Sequence, residues 1–277
     1  MRKTEIKKLL PVVVDAAIRA GEAIMDVYTS PETDWEVERK ADNSPLTLAD
    51  RRSHAIIAPA LEATGVKVLS EEGAAVPYNH PEGQTRGGRK TWKKLWIVDP
   101  LDGTKEFLKR NGEFTVNIAL VERGLPILGV IFVPVSRVLY VGSVYGAFKA
   151  TVPEGEYAMK ALTLEPIAAK EEHDGPLTVV ASRSHLSTET ETYIAQLRQE
   201  YPAVEMVSAG SSLKLCLVAE GQADVYPRFA PTMEWDTAAG HAICRAAGCD
   251  VYAVGDGDPT PLRYNKPDLH NPWFVVG

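Results

Sequence analysis

Between Phe114 and Ser143 the chain reads FTVNIALVERGLPILGVIFVPVSRVLYVGS, three apolar runs parted by short Gly- and Pro-containing breaks. Runs of this length alternate their side chains between two faces. They predict consecutive strands of one antiparallel sheet, joined by tight turns. A chain of 277 residues committed to such a sheet becomes a layered α/β protein, because the segments around the meander carry other periods. Leu10, Val14, Ala17, Gly21, Ile24 and Tyr28 recur at helical spacing, and Pro11 is tolerable only in a first turn, so an unbroken helix is expected from near Leu10 to Tyr28. A second helix opens at Thr47, with Asp50 in capping-box position.

VKVLS (66–70) and LWIVD (95–99) read as short buried strands, each ending in acids. The pattern lapses over 151–174. From Gly175 onward LTVVAS, a helix over 188–200, VEMVS, a helix over 211–220 and a helix over 236–247 alternate as a second α/β unit. The expected organisation is an N-terminal unit (1–150), a connection (151–174) and a C-terminal unit (175–277).

Several function classes are disfavoured. No stretch approaches the roughly 18 apolar residues of a membrane span, and Asp15, Glu22 and Asp26 break up the N-terminal apolar run, which reads as helix rather than leader. A cytoplasmic protein is expected. Cys216, Cys244 and Cys249 form no CxxC pair and read as small buried hydrophobes, not as a disulfide framework or zinc site. A net charge of −7 argues against wrapping a nucleic-acid polymer. The one basic stretch, TRGGRKTWKK (85–94), reads as a solvated loop, with a lid over an anionic substrate as its alternative.

The chemistry lies in acids at strand ends. Glu71 and Glu72 follow one strand, Asp99 and Asp102 follow another in DPLDGT, and Asp236 stands in EWDTAAG at the start of a helix. If these ends converge, four or five carboxylates share a pocket, which like-charge repulsion makes unfavourable unless hard cations are present. Mg²⁺ takes oxygen ligands and keeps waters, and suits such a set shared with a phosphate. Pro100 holds Asp99 extended, so that Asp99, the Leu101 carbonyl and Asp102 offer oxygens to one side, while Gly103 lets a ligand approach the backbone. If Thr104 begins a helix, its first amides favour phosphate. Each acid also has a local reading: Asp50 as a capping-box member, Asp236 as a helix cap, Asp102 as a turn cap and Glu72 as a solvated neighbour. No GxxxxGK[ST] loop occurs, GDGD (255–258) reads as a turn, and SRSH (182–185) as a ligand-contacting loop rather than a hydrolase pair. His54 and His241 read as packing or surface residues.

An Asp, an acidic pair, DPxDGT and WDxxA in that order resemble the lithium-sensitive, magnesium-dependent phosphatases that include inositol monophosphatase, here as Asp50, Glu71-Glu72, DPLDGT and WDTAA. KADNSPLTLAD, LDGTKEFLKRNGEFTVNIAL, SRSH, GSSLKLCLVAEGQADVYPRF and WDTAAGHA look most like the CysQ-type 3′(2′),5′-bisphosphate nucleotidases of that family. The resemblance implies an αβαβα sandwich. It also implies removal of the 3′ phosphate of adenosine 3′,5′-bisphosphate to give AMP, a step that clears a by-product of sulfate assimilation. By the same resemblance Glu71, Asp99, the Leu101 carbonyl, Asp102 and Asp236 hold two or three Mg²⁺ ions. Asp50 and Thr104, together with Glu71, activate water, and the Gly103 and Thr104 amides hold the scissile phosphate alongside Leu101, Asp102 and Asp236. Candidates for nucleoside and 5′-phosphate contacts are Ser182, His185, Ser212, Lys214, Tyr226 and Arg228. The alternatives are another sugar-phosphate phosphatase with a different rim on the same centre, and a non-catalytic nucleotide and metal sensor.

Overall fold

The structure is a computed structural model and describes residues 3–40, 44–79, 87–171, 175–181, 187–255 and 257–277. Its elements follow in the order α1 (Lys3–Tyr28), β1 (Glu38–Arg39), β2 (Pro45–Leu46), α2 (Leu48–Glu62), β3 (Lys67–Ser70), β4 (Lys94–Asp102) and α3 (Thr104–Leu108). The meander is β5 (Thr115–Glu122), β6 (Leu125–Val133), β7 (Val138–Ser143) and β8 (Gly146–Thr151), extended by β9 (Glu165–Ile167). Then come β10 (Leu177–Ala181), α4 (Thr188–Glu200), β11 (Val204–Ser208), α5 (Leu213–Ala219), β12 (Tyr226–Arg228), α6 (Glu234–Ala247), β13 (Val251–Ala253), β14 (Thr260–Pro261) and β15 (Phe274–Val276).

Strands β3 to β9 form one seven-stranded sheet in sequence order, parallel only between β3 and β4. Its alternation sorts the core. Trp96, Val98, Val116, Ile118, Leu120, Val130 and Phe132 meet α1 and α2 on one face, whereas Leu95, Ile97, Ala119, Val121 and Ile131 meet Leu215, Ala238, Ala239 and Ile243 of α5 and α6 on the other. Beyond α5 and α6 lies a four-stranded sheet, β12-β15-β13-β14, whose Val251, Phe274 and Val276 join the same core. The parallel pair β10-β11 abuts β12 through a bridge between Val179 and Val225, and Leu177 and Val179 pack outward on Ile194 and Leu197 of α4. The layers therefore run helix, sheet, helix, sheet, helix: the αβαβα sandwich that the resemblance implied.

The central helix layer approaches the large sheet where glycine allows it. A Cβ at Gly142 would stand 2.4 Å from Cα of Ile243, and one at Gly129 would stand 2.2 Å from the carbonyl oxygen of Ala239, so α6 rests directly on the strand backbone. Backbone cannot yield as a side-chain tip can. Gly142→Ala is expected to cost about 1 to 3 kcal/mol, read as a lower urea midpoint with an unchanged slope.

Three expectations about elements are corrected. Helix α1 begins at Lys3 and runs through Pro11. Burial of Ile6 and Leu10 holds its first turns to the core while the proline faces solvent. The connection 151–174 is not patternless, because β9 adds an antiparallel edge to β8. Helix α5 (Leu213–Ala219) starts two residues later and ends one earlier than 211–220, and α6 (Glu234–Ala247) starts two residues before 236 and ends at the expected Ala247.

Candidate active site

The feature that gathers the acids is a β-bulge. In β4 Asp99 pairs with Asn117 and Asp102 pairs with Thr115, so the steps from Asp99 to Asp102 oppose one residue fewer on β5. In a regular strand residues three apart point to opposite faces, and the extra residue returns Asp102 to the face of Asp99. Proline is suited to the bulge because no ladder N–H is required of it there. Its carbonyl accepts the Ser53 hydroxyl at 2.6 Å, and the Leu101 amide donates to Oδ1 of Asp99 at 3.0 Å. LWIVD by itself predicts a strand that stops at Asp99, whereas the structure carries it on to Asp102.

The remaining acids come from three other elements. Glu71 follows β3 and is tied to β4 by its amide, which donates to the Val98 carbonyl at 3.1 Å. Asp50 is the capping-box residue of α2, its Oδ2 accepting the Thr47 amide at 2.7 Å and the Thr47 hydroxyl at 2.6 Å. Its other oxygen, Oδ1, receives the Thr104 hydroxyl at 3.4 Å, so the capping role of Asp50 does not occupy both its oxygens. Asp236, at the third position of α6, accepts the Met233 amide at 2.8 Å.

These groups feel one another. Burial, then the charges of Glu71, Asp102 and Asp236, push Asp99 well above the usual carboxylate range. Asp236 rises to about 8 through burial and the charge of Asp102, and Asp102 to about 6 through burial, opposed by Lys214 and by hydrogen bonds from Asn117 and Ser212. Asp50 rises to about 6, chiefly by burial. Asp99 and Asp102 of β4 and Asp236 of α6 therefore share one electrostatic environment that resists their ionisation, while Asp50 is raised by its own burial.

The donor set fits a hard cation. It consists of carboxylate and carbonyl oxygens, and it already draws positive charge, since the Lys40 ammonium contacts Glu71 at 2.7 Å and also Glu72. Among the described residues no three His, Cys, Asp or Glu side chains close around a single ion position, Glu71 being engaged with Lys40. Lys40 and Asn117 were missed in the sequence. Lys40 lies in an irregular segment with no periodic pattern to assign it, and Asn117 looked like one more strand residue.

Beside the acids lies a cleft lined by Asp102, Gly103, Lys214, Tyr226, Arg228 and Asp236. Gly103 has φ +92 and precedes α3, which spans only Thr104–Leu108 and so has little helix dipole to offer. Lys214 is buried, its ammonium donating to the Ser211 carbonyl at 2.7 Å, and is not an exposed helix charge. Tyr226 is both packed edge-on against Phe274 and part of the cleft wall. Arg228 has a buried Nε without a partner among the described residues. The Ser212 hydroxyl turns inward to Asn117 and Thr115, and its amide holds Asp102. Ser182 and His185 lie outside the described residues.

The basic stretch 85–94 is not simply solvated. Arg89 is 3% exposed and donates to Asn265 and to the carbonyls of Lys266 and Pro267, anchoring the segment to the C-terminal unit. Thr85 and Arg86 lie outside the described residues. His54 bonds Ser70 and His241 lies between Tyr264 and Asp250, so both serve packing. Cys216 and Cys244 are buried, Cys249 is half-buried, and all three are free.

Known proteins resemble this chain along nearly its whole length. The chain is 45% identical over 271 residues to the 3′(2′),5′-bisphosphate nucleotidase CysQ of Escherichia coli (strain K12), covering 97% of this chain and 99% of that one. The corresponding Haemophilus influenzae protein is 34% identical over 97% of this chain and 92% of its own length. The crystal structure of CysQ from Bacteroides thetaiotaomicron superposes with a TM-score of 0.80 at 52% identity, covering 96% and 95% of the two chains. An inositol monophosphatase from Anabaena, 22% identical with a TM-score of 0.66 over 99% and 91%, shares the fold. The inositol monophosphatase family pattern itself matches residues 5–272. Since that match takes in the bulged strand, both acid-bearing helices and the sandwich around them, the chain belongs to the inositol monophosphatase family.

Proposed function

We infer that the protein is a magnesium-dependent 3′(2′),5′-bisphosphate nucleotidase that hydrolyses adenosine 3′,5′-bisphosphate to AMP and phosphate. The observation that carries the reading is the mutual electrostatic influence of Glu71, Asp99, Asp102 and Asp236 beside a cleft lined by the buried Lys214 and by Arg228. Similarity to nucleotidases along nearly the whole chain supports the substrate class. Glu71, Asp99, the Leu101 carbonyl, Asp102 and Asp236 would hold two or three Mg²⁺ ions. When bound, these supply a water of lowered pKa and neutralise phosphate charge.

The chain's own groups do the rest. Asp50, raised to about 6, is a better base near neutrality than an ordinary carboxylate, and with the Thr104 hydroxyl it orients water and takes its proton at Oδ1. The Gly103 and Thr104 amides face the scissile phosphate. Arg228 and Lys214, which line the cleft, meet the second phosphate. Tyr226 forms the adjoining wall, while Ser212, through its amide, fixes Asp102. Ser182 and His185 remain candidates for the nucleoside. The division at 151–174 and a cytoplasmic location are part of this proposal; no helix among the described residues is long and apolar enough to cross a membrane.

The test is phosphate release with Mg²⁺ from adenosine 3′,5′-bisphosphate, inositol 1-phosphate and fructose 1,6-bisphosphate. The first is expected to be turned over most efficiently; preference for either sugar phosphate would replace the reading. Arg228→Ala is expected to lower kcat/KM for the bisphosphate at least about tenfold more than for a monophosphate substrate. Equal losses on the two would remove Arg228 from recognition.

A further inference from the structure

Asp102 is tied down on one side only. Its Oδ2 accepts the Ser212 amide at 2.6 Å and the side-chain N–H of Asn117 at 3.2 Å. Asn117 lies on β5, is 1% exposed and carries no part of the reaction as derived above. A carboxylate can only accept, so Nδ2 of Asn117 must be the end that faces it. The other end is held as firmly. Oδ1 of Asn117 meets the Thr115 hydroxyl at 2.9 Å and the Ser212 hydroxyl at 2.8 Å, and those two hydroxyls are 2.8 Å apart. In a buried network the amide cannot turn without leaving polar groups unpaired, which makes its orientation rigid. The network spans two parts of the fold, because Thr115 and Asn117 belong to the large sheet and Ser212 to the turn entering α5.

We propose that Asn117 is a positioning residue that sets the ion preference of the centre. By engaging Oδ2 together with the Ser212 amide, it leaves Asp102 a single oxygen, Oδ1, to offer. One oxygen per carboxylate suits Mg²⁺, which is small, demands octahedral geometry and keeps several waters. Ca²⁺ gathers six to eight oxygens and accepts carboxylates through both. Without Asn117 the Ser212 hydroxyl loses an acceptor and Oδ2 loses one of its two donors, so the carboxylate is free to turn and present both oxygens. The inference rests on Asp102 being a metal ligand.

Titration calorimetry of Mg²⁺ and Ca²⁺, without substrate, on wild type, Asn117→Ala and Asn117→Leu tests it. The leucine variant keeps the bulk of the side chain in case the alanine variant does not fold. Both are expected to shift the ratio of dissociation constants toward Ca²⁺ by about tenfold. Thr115→Val removes a hydroxyl from the same buried group without touching Asp102; it is expected to lower the unfolding midpoint and leave the ratio within about twofold. Folded Asn117 variants with the wild-type ratio would overturn the inference while the metal reading stands. A wild type that binds neither ion would remove the metal reading and this inference together.

Discussion

Asp102→Asn is expected to lower turnover of adenosine 3′,5′-bisphosphate by at least about 100-fold while the metal-free protein becomes no less stable than wild type. Both halves follow from one fact. The Asp102 carboxyl is held at about 6 because burial disfavours its ionised form more than Lys214 and the hydrogen bonds from Asn117 and Ser212 favour it, so at neutral pH without a cation it opposes folding. Asparagine keeps the shape and removes that charge. It also removes the anionic oxygen that a cation would take, so the rise in melting temperature caused by Mg²⁺ in wild type should largely vanish. Steady-state kinetics in saturating Mg²⁺ and thermal melts with and without the ion check the two halves. Near-normal turnover would refute the ligand assignment.

Stripping the metal should make stability fall as pH rises from about 6 to about 8, a range in which surface carboxylates are already ionised and do not change. Asp102, at about 6, and Asp236, at about 8, lie above the unfolded value of about 3.9, so the native state binds more protons than the unfolded chain throughout this interval. Stability from these groups is complete below the unfolded pKa and is lost as pH climbs through the folded values. Asp99, pushed up by burial and by the same neighbours, acts in the same direction. Melts of chelated protein across this range should drop by several degrees, and saturating Mg²⁺ should restore more at the upper end than at the lower. A melting temperature that is flat or rising with pH in the chelated protein would show that these acids do not share one environment.

Much of this was legible in residue order. The apolar runs of 114–143 produced β5, β6 and β7 because a strand with both faces covered is apolar nearly along its whole length. Thr47 and Asp50 announced the start of α2 because a capping box is satisfied within four residues. The edge strand β9 was not legible: its three residues gain their conformation from β8, not from a pattern of their own. Nor was the burial of Arg89, whose partners lie more than 170 positions further along the chain.

The site divides along the same line. That Asp99 and Asp102 would work together was written in DPLDGT, since a proline and a glycine limit what that backbone can do. How they come to share a face depends on β5 lying alongside with one residue fewer. That Glu71 and Asp236 are acids was plain, but how near they lie depends on where β3 ends and α6 begins, and α6 reaches its place only because Gly129 and Gly142 let it rest on the strands. The sequence by itself determined the local conformations and the kinds of oxygen available, because those interactions close within a few residues. The tertiary structure decided which oxygens confront one another, as well as the roles of Lys40 and Asn117, because charge and hydrogen bonding act through space between segments that no local pattern connects.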